Sequence, residues 1–304
     1  MMIADSASHQ RPPAGGLVLD HIAHFVPDMA ASERDLKRLG FTLTPLSHQM
    51  HRTGPGTPLV SAGTANRTAM LPRGYLEFLT TTGDTANAAR LKTAMARYTG
   101  VHLVCFGTGQ SDKVHARLVE RGFEPPPIVS LQREIETEDG GKATARFSVT
   151  RAAPDRMPEG RIQFVEHHTP QLIWQGRWLS HANGMHSLAA IVIAVPNIDE
   201  ATTRWRHLTG RAFRATGDLR VIVTDRGQAI LGSAGAIEKH FGAKPPTLPW
   251  IAGPVLGVPN LRATEAFLRK ANAQILRETA GRIVIAAPAS LGGILAFQQE
   301  SSFS

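Results

Sequence analysis

Apolar and polar positions alternate near the start of the chain and then change abruptly to a helical spacing. Residues 17–25 read LVLDHIAHF, which is typical of a strand with a different set of side chains on each face. Apolar residues at helical spacing follow over 29–39. The residues that alternation places on one face of the predicted strand are Leu17, Leu19, His21, Ala23 and Phe25.

The connection between this strand and helix is a phrase that the chain repeats. Residues 24–29 read HFVPDM, residues 193–198 read IAVPNI, and residues 256–261 read LGVPNL. The residue before proline favours extended backbone, and the following Asp or Asn can cap a helix, so the phrase ends a strand and begins a helix. A degenerate fourth copy begins at 101–106. Four starts predict four copies of one supersecondary unit.

The first unit is predicted in full as a β-α-β-β-β module. Its strands are expected at 17–26, 41–44, 66–71 and 75–81, with the helix at 29–39. Two such modules pair into a curved sheet whose concave side forms a cup. The predicted fold class is therefore α+β, with four βαβββ modules paired into two curved-sheet domains.

These modules divide the chain into three expected segments. Residues 1–15 are expected to form a flexible N-terminal tail. Modules one and two occupy 16–180 and carry the site, and modules three and four occupy 181–304. The cut lies in a predicted linker at 171–185 that contains two tryptophans and several Gly and Asn.

Composition narrows the class of protein and its partners. The 304 residues are 42% hydrophobic and 19% charged, which is ordinary for a globular protein with two cores. No apolar run reaches the ~20 residues of a membrane span, and the N-terminus lacks a signal-peptide core, so a cytoplasmic protein is expected. The net charge of +8 favours anionic partners. Dispersed basic residues and 6% aromatic content argue against nucleic acid, which leaves a small anionic molecule.

Four stretches of the first half resemble the vicinal-oxygen-chelate superfamily, which includes glyoxalases and extradiol dioxygenases, and within it the glyoxalase-like domain proteins. They are LDHI at 19–22, GTANR at 63–67, GYLEF at 74–78 and FVEHHTP at 164–170. The second half resembles the superfamily only in the repeated phrase. The resemblance implies a divalent metal, Zn, Ni, Mn or Fe, in the cup of the first half.

The first module offers two candidate ligands. His21 is the lone polar side chain on its predicted face, and Glu77 shares a face with Tyr75 and Leu79. A buried carboxylate needs a partner, which is either a cation such as Arg67 or a metal. The resemblance favours the metal, because His21 and Glu77 match the superfamily's first-strand His and last-strand Glu ligands.

The second module leaves its ligands open. Alignment of the two modules places Leu103 opposite His21, so His102 reaches the site only through a bulge or an alternative register. The same alignment gives Gln163 as the counterpart of the glutamate ligand, whereas the resemblance favours Glu166. The metal set expected from the resemblance is His21, Glu77, His102 and Glu166. Glu77 and Glu166 are also the expected catalytic residues.

Other candidate side chains complete the expectations. Asn66 and Arg67 are predicted to bind substrate, Arg67 through a bidentate contact with a carboxylate, although a surface salt bridge is an equal alternative. The single cysteine, Cys105, is expected to serve packing, so that any metal uses His and carboxylates. His167 and His168 are expected at the surface or capping the linker, with the alternative that one of them reaches the site.

The leading functional hypothesis is a metal-dependent isomerase or lyase of glyoxalase type that acts on a small anionic, oxygen-rich substrate by chelation and proton transfer. An Fe(II) ring-cleaving dioxygenase and a non-catalytic small-molecule-binding protein are the alternatives. The second half is expected to lack metal ligands and to form a wall, a lid or the surface of a homodimer. Its residues at the ligand positions are Ala190, Ile230, Gly253 and Ala296.

Overall fold

The structure is a computed structural model that describes residues 10–52 and 57–300, in which there are sixteen strands and seven α-helices. The elements of the first half are β1 (Leu17–Phe25), α1 (Met29–Arg38), β2 (Ser47–Arg52), β3 (Leu59–Met70), β4 (Tyr75–Thr81), α2 (Ala86–Arg97), β5 (Gly100–Thr108), α3 (Ser111–Glu120), β6 (Val129–Glu136), β7 (Lys142–Arg151), β8 (Arg161–His167) and α4 (Pro170–Ile173). Those of the second half are β9 (Ser187–Ala194), α5 (Ile198–Thr209), β10 (Phe213–Thr216), β11 (Leu219–Val223), β12 (Gln228–Gly232), α6 (Ala234–Phe241), β13 (Trp250–Val258), α7 (Leu261–Lys270), β14 (Ile275–Thr279), β15 (Arg282–Ala286) and β16 (Ile294–Gln299).

Strand pairing confirms the α+β class and the four βαβββ modules. In the first half the strand order is β2-β3-β4-β1-β5-β8-β7-β6, and in the second it is β10-β11-β12-β9-β13-β16-β15-β14. Each module contributes four strands, and the two modules of a half join through an antiparallel pair, β1 with β5 or β9 with β13. A bridge between Val101 and Ile251 links the two halves.

The repeated phrase behaves as its chemistry predicts. Asp28 accepts a hydrogen bond from the backbone N–H of Ala31, and Asn197 and Asn260 cap α5 and α7 in the same way. The degenerate copy has Gln110 at this position, and its side chain makes no capping hydrogen bond. The phrase therefore sets three helix starts, while α3 needs another cap.

The predicted strand at 41–44 is wrong. After α1, Gly40 adopts a φ of +85° and the Phe41 side chain is buried in the core. The segment therefore packs against the core and does not pair with a neighbouring strand. The strand begins later, at β2. The strand predicted at 66–71 is the end of the longer β3, and the one at 75–81 coincides with β4.

Two β-bulges at the junction of the modules change which side chains face the cup. Between β1 and β5 the register shifts at Asp20, which lies between the pairs Leu19–Phe106 and His21–Cys105. A second shift leaves His102 as the extra residue. An extra residue reverses the alternation along a strand.

The predicted common face of β1 is therefore wrong. Leu17 and Leu19 belong to the large core that packs against α1 and α3, whereas Ala23 and Phe25 belong to a cluster on the opposite side of the sheet. The large core also contains side chains of the second half, among them Trp205 of α5 and Phe297 of β16.

The start of the chain lies partly outside the described residues. Residues 1–9 of the predicted tail are not described, whereas Gln10 is buried and its side chain accepts a hydrogen bond from the backbone N–H of Gly74 and donates one to the carbonyl of Pro72. None of the described helices combines the length and apolar character that a membrane crossing requires.

Candidate functional site

The first cup is the face of the first-half sheet opposite α1 and α3. Helix α2 covers part of it through Leu91, and Trp174, after α4, packs at one end. Strand registers place polar and charged side chains of six strands on this face. They include His21, Asn66, Thr68, Tyr75, Glu77, Cys105, Arg151, Arg161, Gln163 and His167.

A buried charge network lies at the bulge in β1. Nδ1 of His21 is 2.6 Å from Oδ1 of Asp20, and Nε2 of His167 is 3.1 Å from Oδ2 of the same carboxylate. Burial acts to raise the pKa of Asp20, but the two imidazoles outweigh it and hold this pKa well below its usual range. Burial likewise acts to lower the pKa of His21, yet Cys105 and Asp20 raise it well above its usual range. His21 also stacks on Tyr75, with 4.3 Å between ring centroids.

Cys105 lies directly across from His21 in the β1–β5 ladder and interacts with its imidazole. Burial raises the pKa of the Cys105 thiol, opposed by His21 and by Gln163, the neighbour of Cys105 on β8. The amide oxygen Oε1 of Gln163 is buried and has no hydrogen-bond partner among the described residues. Cys105 was expected only to pack, but it lies in a polar group.

Glu77 lies two register pairs along from His21, opposite Ala23, and is held by amides. Nδ2 of Asn66 donates to Oε1 of Glu77 at 2.5 Å, and Nε2 of Gln49 lies 3.5 Å from the same oxygen. Gln49 is itself fixed, because its Oε1 accepts from the Thr64 hydroxyl. Asn66, predicted to bind substrate, thus orients the Glu77 carboxylate.

Arginines make the cup positively charged. Arg161 faces it from β8 and Arg151 from the end of β7, while Arg90 on α2 lies near enough to influence the pKa of both. The Arg161 side chain is exposed to solvent, although protein surrounds much of it. This enclosure lowers its pKa to about 10, assisted by Arg151 and opposed by Glu77. No carboxylate in the described part of the chain forms an ion pair with Arg151 or Arg161.

The structure places Glu166 on the other face of the sheet. Residues Gln163 and Val165 of β8 face the cup, so Glu166 faces α3. Its Oε2 accepts from the backbone N–H and the hydroxyl of Ser111, at 2.8 and 2.7 Å. Glu166 thereby supplies the cap that Gln110 lacks, which corrects its predicted place beside the metal and its predicted catalytic role.

His102 is at the second bulge, which was the condition for its reaching the site. Its ring is nevertheless engaged, since Nε2 lies 2.7 Å from the carbonyl of Tyr98 and the two rings stack. Burial lowers the pKa of His102 to about 4. The described side chains do not bring His102 into a cluster with His21.

Arg67 takes the salt-bridge alternative. It pairs with Phe78 in the β3–β4 ladder and so lies on the α1 side, where its guanidinium is 3.0 Å from Glu33 and donates to the carbonyl of Thr44. Two arginines that do face the cup, Arg151 and Arg161, were missed. Their only sequence signal is alternation along β7 and β8, which no motif marks.

The superfamily's four-ligand metal set does not fit these residues. Register places His21 and Glu77 at two positions, but Leu103 and Gln163 at the other two, and Leu103 is buried in the apolar cluster of the cup. Within residues 10–52 and 57–300, one group of three His, Cys, Asp or Glu side chains holds its ligand atoms within 4.8 Å of one another and could hold a metal ion. It consists of Asp20, His21 and Cys105.

The same registers in the second half confirm that its counterpart positions carry no donor side chain. Ala190 and Ile230 take the places of His21 and Glu77, and Gly253 and Ala296 those of Leu103 and Gln163.

Comparison with solved structures supports the same architecture. A hypothetical protein from Staphylococcus aureus aligns with a TM-score of 0.63 at 11% identity, over 93% of this chain and 100% of that one. A mutant of 4-hydroxymandelate synthase from Streptomyces coelicolor aligns with a TM-score of 0.58 at 12% identity, over 95% of each chain. The Mn(II)-bound glyoxalase from Novosphingobium aromaticivorans gives 0.53 at 13%, over 94% of this chain and 82% of that one. These likenesses show the fold.

Sequence comparison identifies the family. No curated protein matches the chain. The model of the glyoxalase-like domain family matches residues 19–209, which span the whole first cup and continue through α5. Together with the paired βαβββ modules, this match shows that the chain belongs to the glyoxalase-like domain family of the vicinal-oxygen-chelate superfamily.

Proposed function

We propose that the protein is an isomerase or lyase of glyoxalase type that moves a proton on a small anionic, oxygen-rich substrate bound in the first cup. The observation that carries this proposal is the pairing of opposite charges on the cup floor. Arg161 and Arg151 lack carboxylate partners in the described chain, yet Arg161 lies close enough to Glu77 for that carboxylate to raise its pKa.

The arginines supply the anion site. A guanidinium without a carboxylate partner binds a carboxylate ligand through charge-assisted and often bidentate hydrogen bonds. Arg161 and Arg151 approach from adjacent strands, and Arg90 adds a third positive charge from α2. A substrate with a carboxylate and a neighbouring carbonyl or hydroxyl places its anionic end on these side chains.

Glu77 supplies the proton-transfer group. The hydrogen bond from Asn66 holds one carboxylate oxygen and leaves the other to act on the substrate. Removal of a proton from carbon next to a carbonyl develops negative charge on the carbonyl oxygen, which the Arg161 guanidinium stabilises. The reaction class is therefore proton abstraction with isomerisation or elimination, and no step requires the superfamily's four-ligand metal set.

The two alternatives separate on this geometry. A 2-His-1-carboxylate iron centre needs His102 and Glu166 beside His21, and the first is held by Tyr98 and the second by Ser111. The dioxygenase thus has no assembled ligand set among the described residues. A binding protein would use the same arginines but would not need proton transfer by Glu77, so a measurement of proton transfer distinguishes it from an enzyme.

The test follows exchange of carbon-bound hydrogen for deuterium by proton NMR, with a panel of small 2-oxo carboxylates in D₂O. The wild type is expected to accelerate exchange at the carbon next to the carbonyl. Glu77→Gln is expected to lose this activity by about 10²- to 10⁴-fold, since it removes the base. Glu166→Gln is the matched control, because its amide oxygen still accepts from Ser111, and it is expected to retain activity.

Equal loss in both variants would contradict the assignment of Glu77. Absence of exchange with every compound, combined with binding of an anion such as oxalate, would overturn the enzyme in favour of the binding protein.

A further inference from the structure

We propose that the floor of the first cup is a thiophilic metal site, in which His21 and Cys105 bind a zinc-like divalent ion together with the amide oxygen of Gln163. The superfamily's oxygen-rich His/Glu/His/Glu set does not fit this chain, and the proposal follows from that disagreement. It concerns metal content alone and does not depend on the reaction proposed above.

His21 is oriented for ligation by the residue behind it. Asp20 is fully buried and engages Nδ1 of His21 at 2.6 Å, which leaves Nε2 as the ligand nitrogen. A carboxylate behind a metal-binding imidazole fixes the ring and raises its basicity. His167 holds the second oxygen of Asp20 at 3.1 Å, so the carboxylate cannot swing away from the ring.

Cys105 and Gln163 provide the donors opposite His21. The strand register places the thiol across the ladder from the imidazole, and the three buried groups Asp20, His21 and Cys105 have ligand atoms within 4.8 Å of one another. Gln163 is the register neighbour of Cys105 on β8, is 8% exposed, and keeps Oε1 buried without a described partner. Such an oxygen is costly to bury unless something binds it, and a cation would satisfy it.

The donor set predicts the kind of metal. One thiolate, one imidazole and one neutral oxygen form a three-ligand site with a position left for water or substrate, an arrangement that suits zinc. Thiolate ligands favour soft or borderline ions such as Zn²⁺, whereas carboxylates, carbonyls and water suit Mn²⁺ and Mg²⁺. We therefore infer a preference for zinc over manganese.

The experiment is titration of the metal-stripped full-length protein with Co²⁺, a spectroscopic substitute for Zn²⁺. The wild type is expected to bind one cobalt per chain and to develop a sulfur-to-cobalt charge-transfer band in the near ultraviolet. Cys105→Ser is expected to lose the band. Asp20→Asn is expected to keep the band but to weaken binding by about 10- to 100-fold, and Glu166→Gln is the control that is expected to match the wild type.

A second measurement needs no variant, in case Cys105→Ser does not fold. X-ray absorption at the zinc edge of the zinc-loaded wild type is expected to show one sulfur neighbour at about 2.3 Å. Failure to bind cobalt or zinc stoichiometrically would overturn the proposal, and so would bound metal with only nitrogen and oxygen neighbours. Neither measurement requires substrate, so both outcomes are separate from the fate of the proposed reaction.

Discussion

The two halves of the molecule have the same backbone plan but opposite interiors. At the four matched strand positions the first cup carries His21, Glu77, Leu103 and Gln163, and the second carries Ala190, Ile230, Gly253 and Ala296. Even the bulges match. Asp20 and His102 are the extra residues of the first half, and Ala189 and Ala252 are those of the second.

The second cup is also filled. Helix α6 places Ile237 and Phe241 on the inner face, where they pack with Trp250 and with small side chains of the strands. Its counterpart α2 contributes Leu91 to the first cup and leaves Arg161 exposed and Arg151 half-buried. The comparison teaches that the bulges and caps belong to the architecture, and that chemistry depends on which side chains occupy the same backbone positions.

The largest effect should come from emptying the filled cup. Phe241 is fully buried, so Phe241→Ala is expected to lower the free energy of unfolding by about 3–5 kcal/mol through lost burial and a cavity. Urea denaturation measures this loss. Phe213→Ala, at a position 39% exposed, is the control and is expected to cost far less. Equal losses would contradict the view that α6 plugs the second cup.

A smaller effect should come from the open cup. Arg161→Gln removes a charge-assisted contact worth about 1.5–3 kcal/mol, which weakens oxalate binding by about 10- to 150-fold. Isothermal titration calorimetry measures the affinity. Arg67→Gln is the matched control, because Arg67 pairs with Glu33 on the opposite face, and it is expected to bind oxalate as the wild type does. If Arg67→Gln weakened binding and Arg161→Gln did not, the assignment of the cup would be wrong.

The smallest effect is the pH dependence that one buried histidine of the first half contributes to stability. His24 is fully buried with neither ring nitrogen hydrogen-bonded among the described residues, and burial, assisted by His102, lowers its pKa to about 3. The unfolded chain binds this proton below about 6.5, so it holds more protons between pH 6.5 and 3. The free energy of unfolding should therefore decrease as the pH is lowered through this window, by about 1.4 kcal/mol per pH unit from His24.

The second half supplies the matched substitution. Ile193 occupies the position of His24 in the equivalent ladder, so His24→Ile is expected to remove one proton's share of the pH slope in unfolding experiments between pH 6.5 and 4. An unchanged slope would show that His24 does not titrate on unfolding.

Local chemistry made most of the fold predictable from the sequence. The residue before proline and the Asp or Asn after it act within a few positions, so the helix starts at Met29, Ile198 and Leu261 could be predicted from the repeated phrase alone. The alternation of apolar and polar residues likewise predicted β1, β4 and β8. His21 and Glu77 followed from alternation and from the resemblance.

The remaining parts of the site depend on contacts between distant segments. The bulge at Asp20 exists only in the ladder with β5, so alternation within β1 could not reveal it. Glu166 caps α3 in place of Gln110, and this contact forms only because folding brings β8 next to the start of the helix. Cys105 gains its partner across the same ladder, and for that reason a lone cysteine in an apolar run gave no signal.

The most direct test of the claim that the first cup alone is the functional site is hydrogen–deuterium exchange mass spectrometry of the full chain with and without oxalate. The account predicts slower backbone exchange in β4 and β8, which carry Glu77 and Arg161, and no change in their counterparts β12 and β16. Protection in β12 and β16, or protection in neither half despite saturating oxalate, would contradict it.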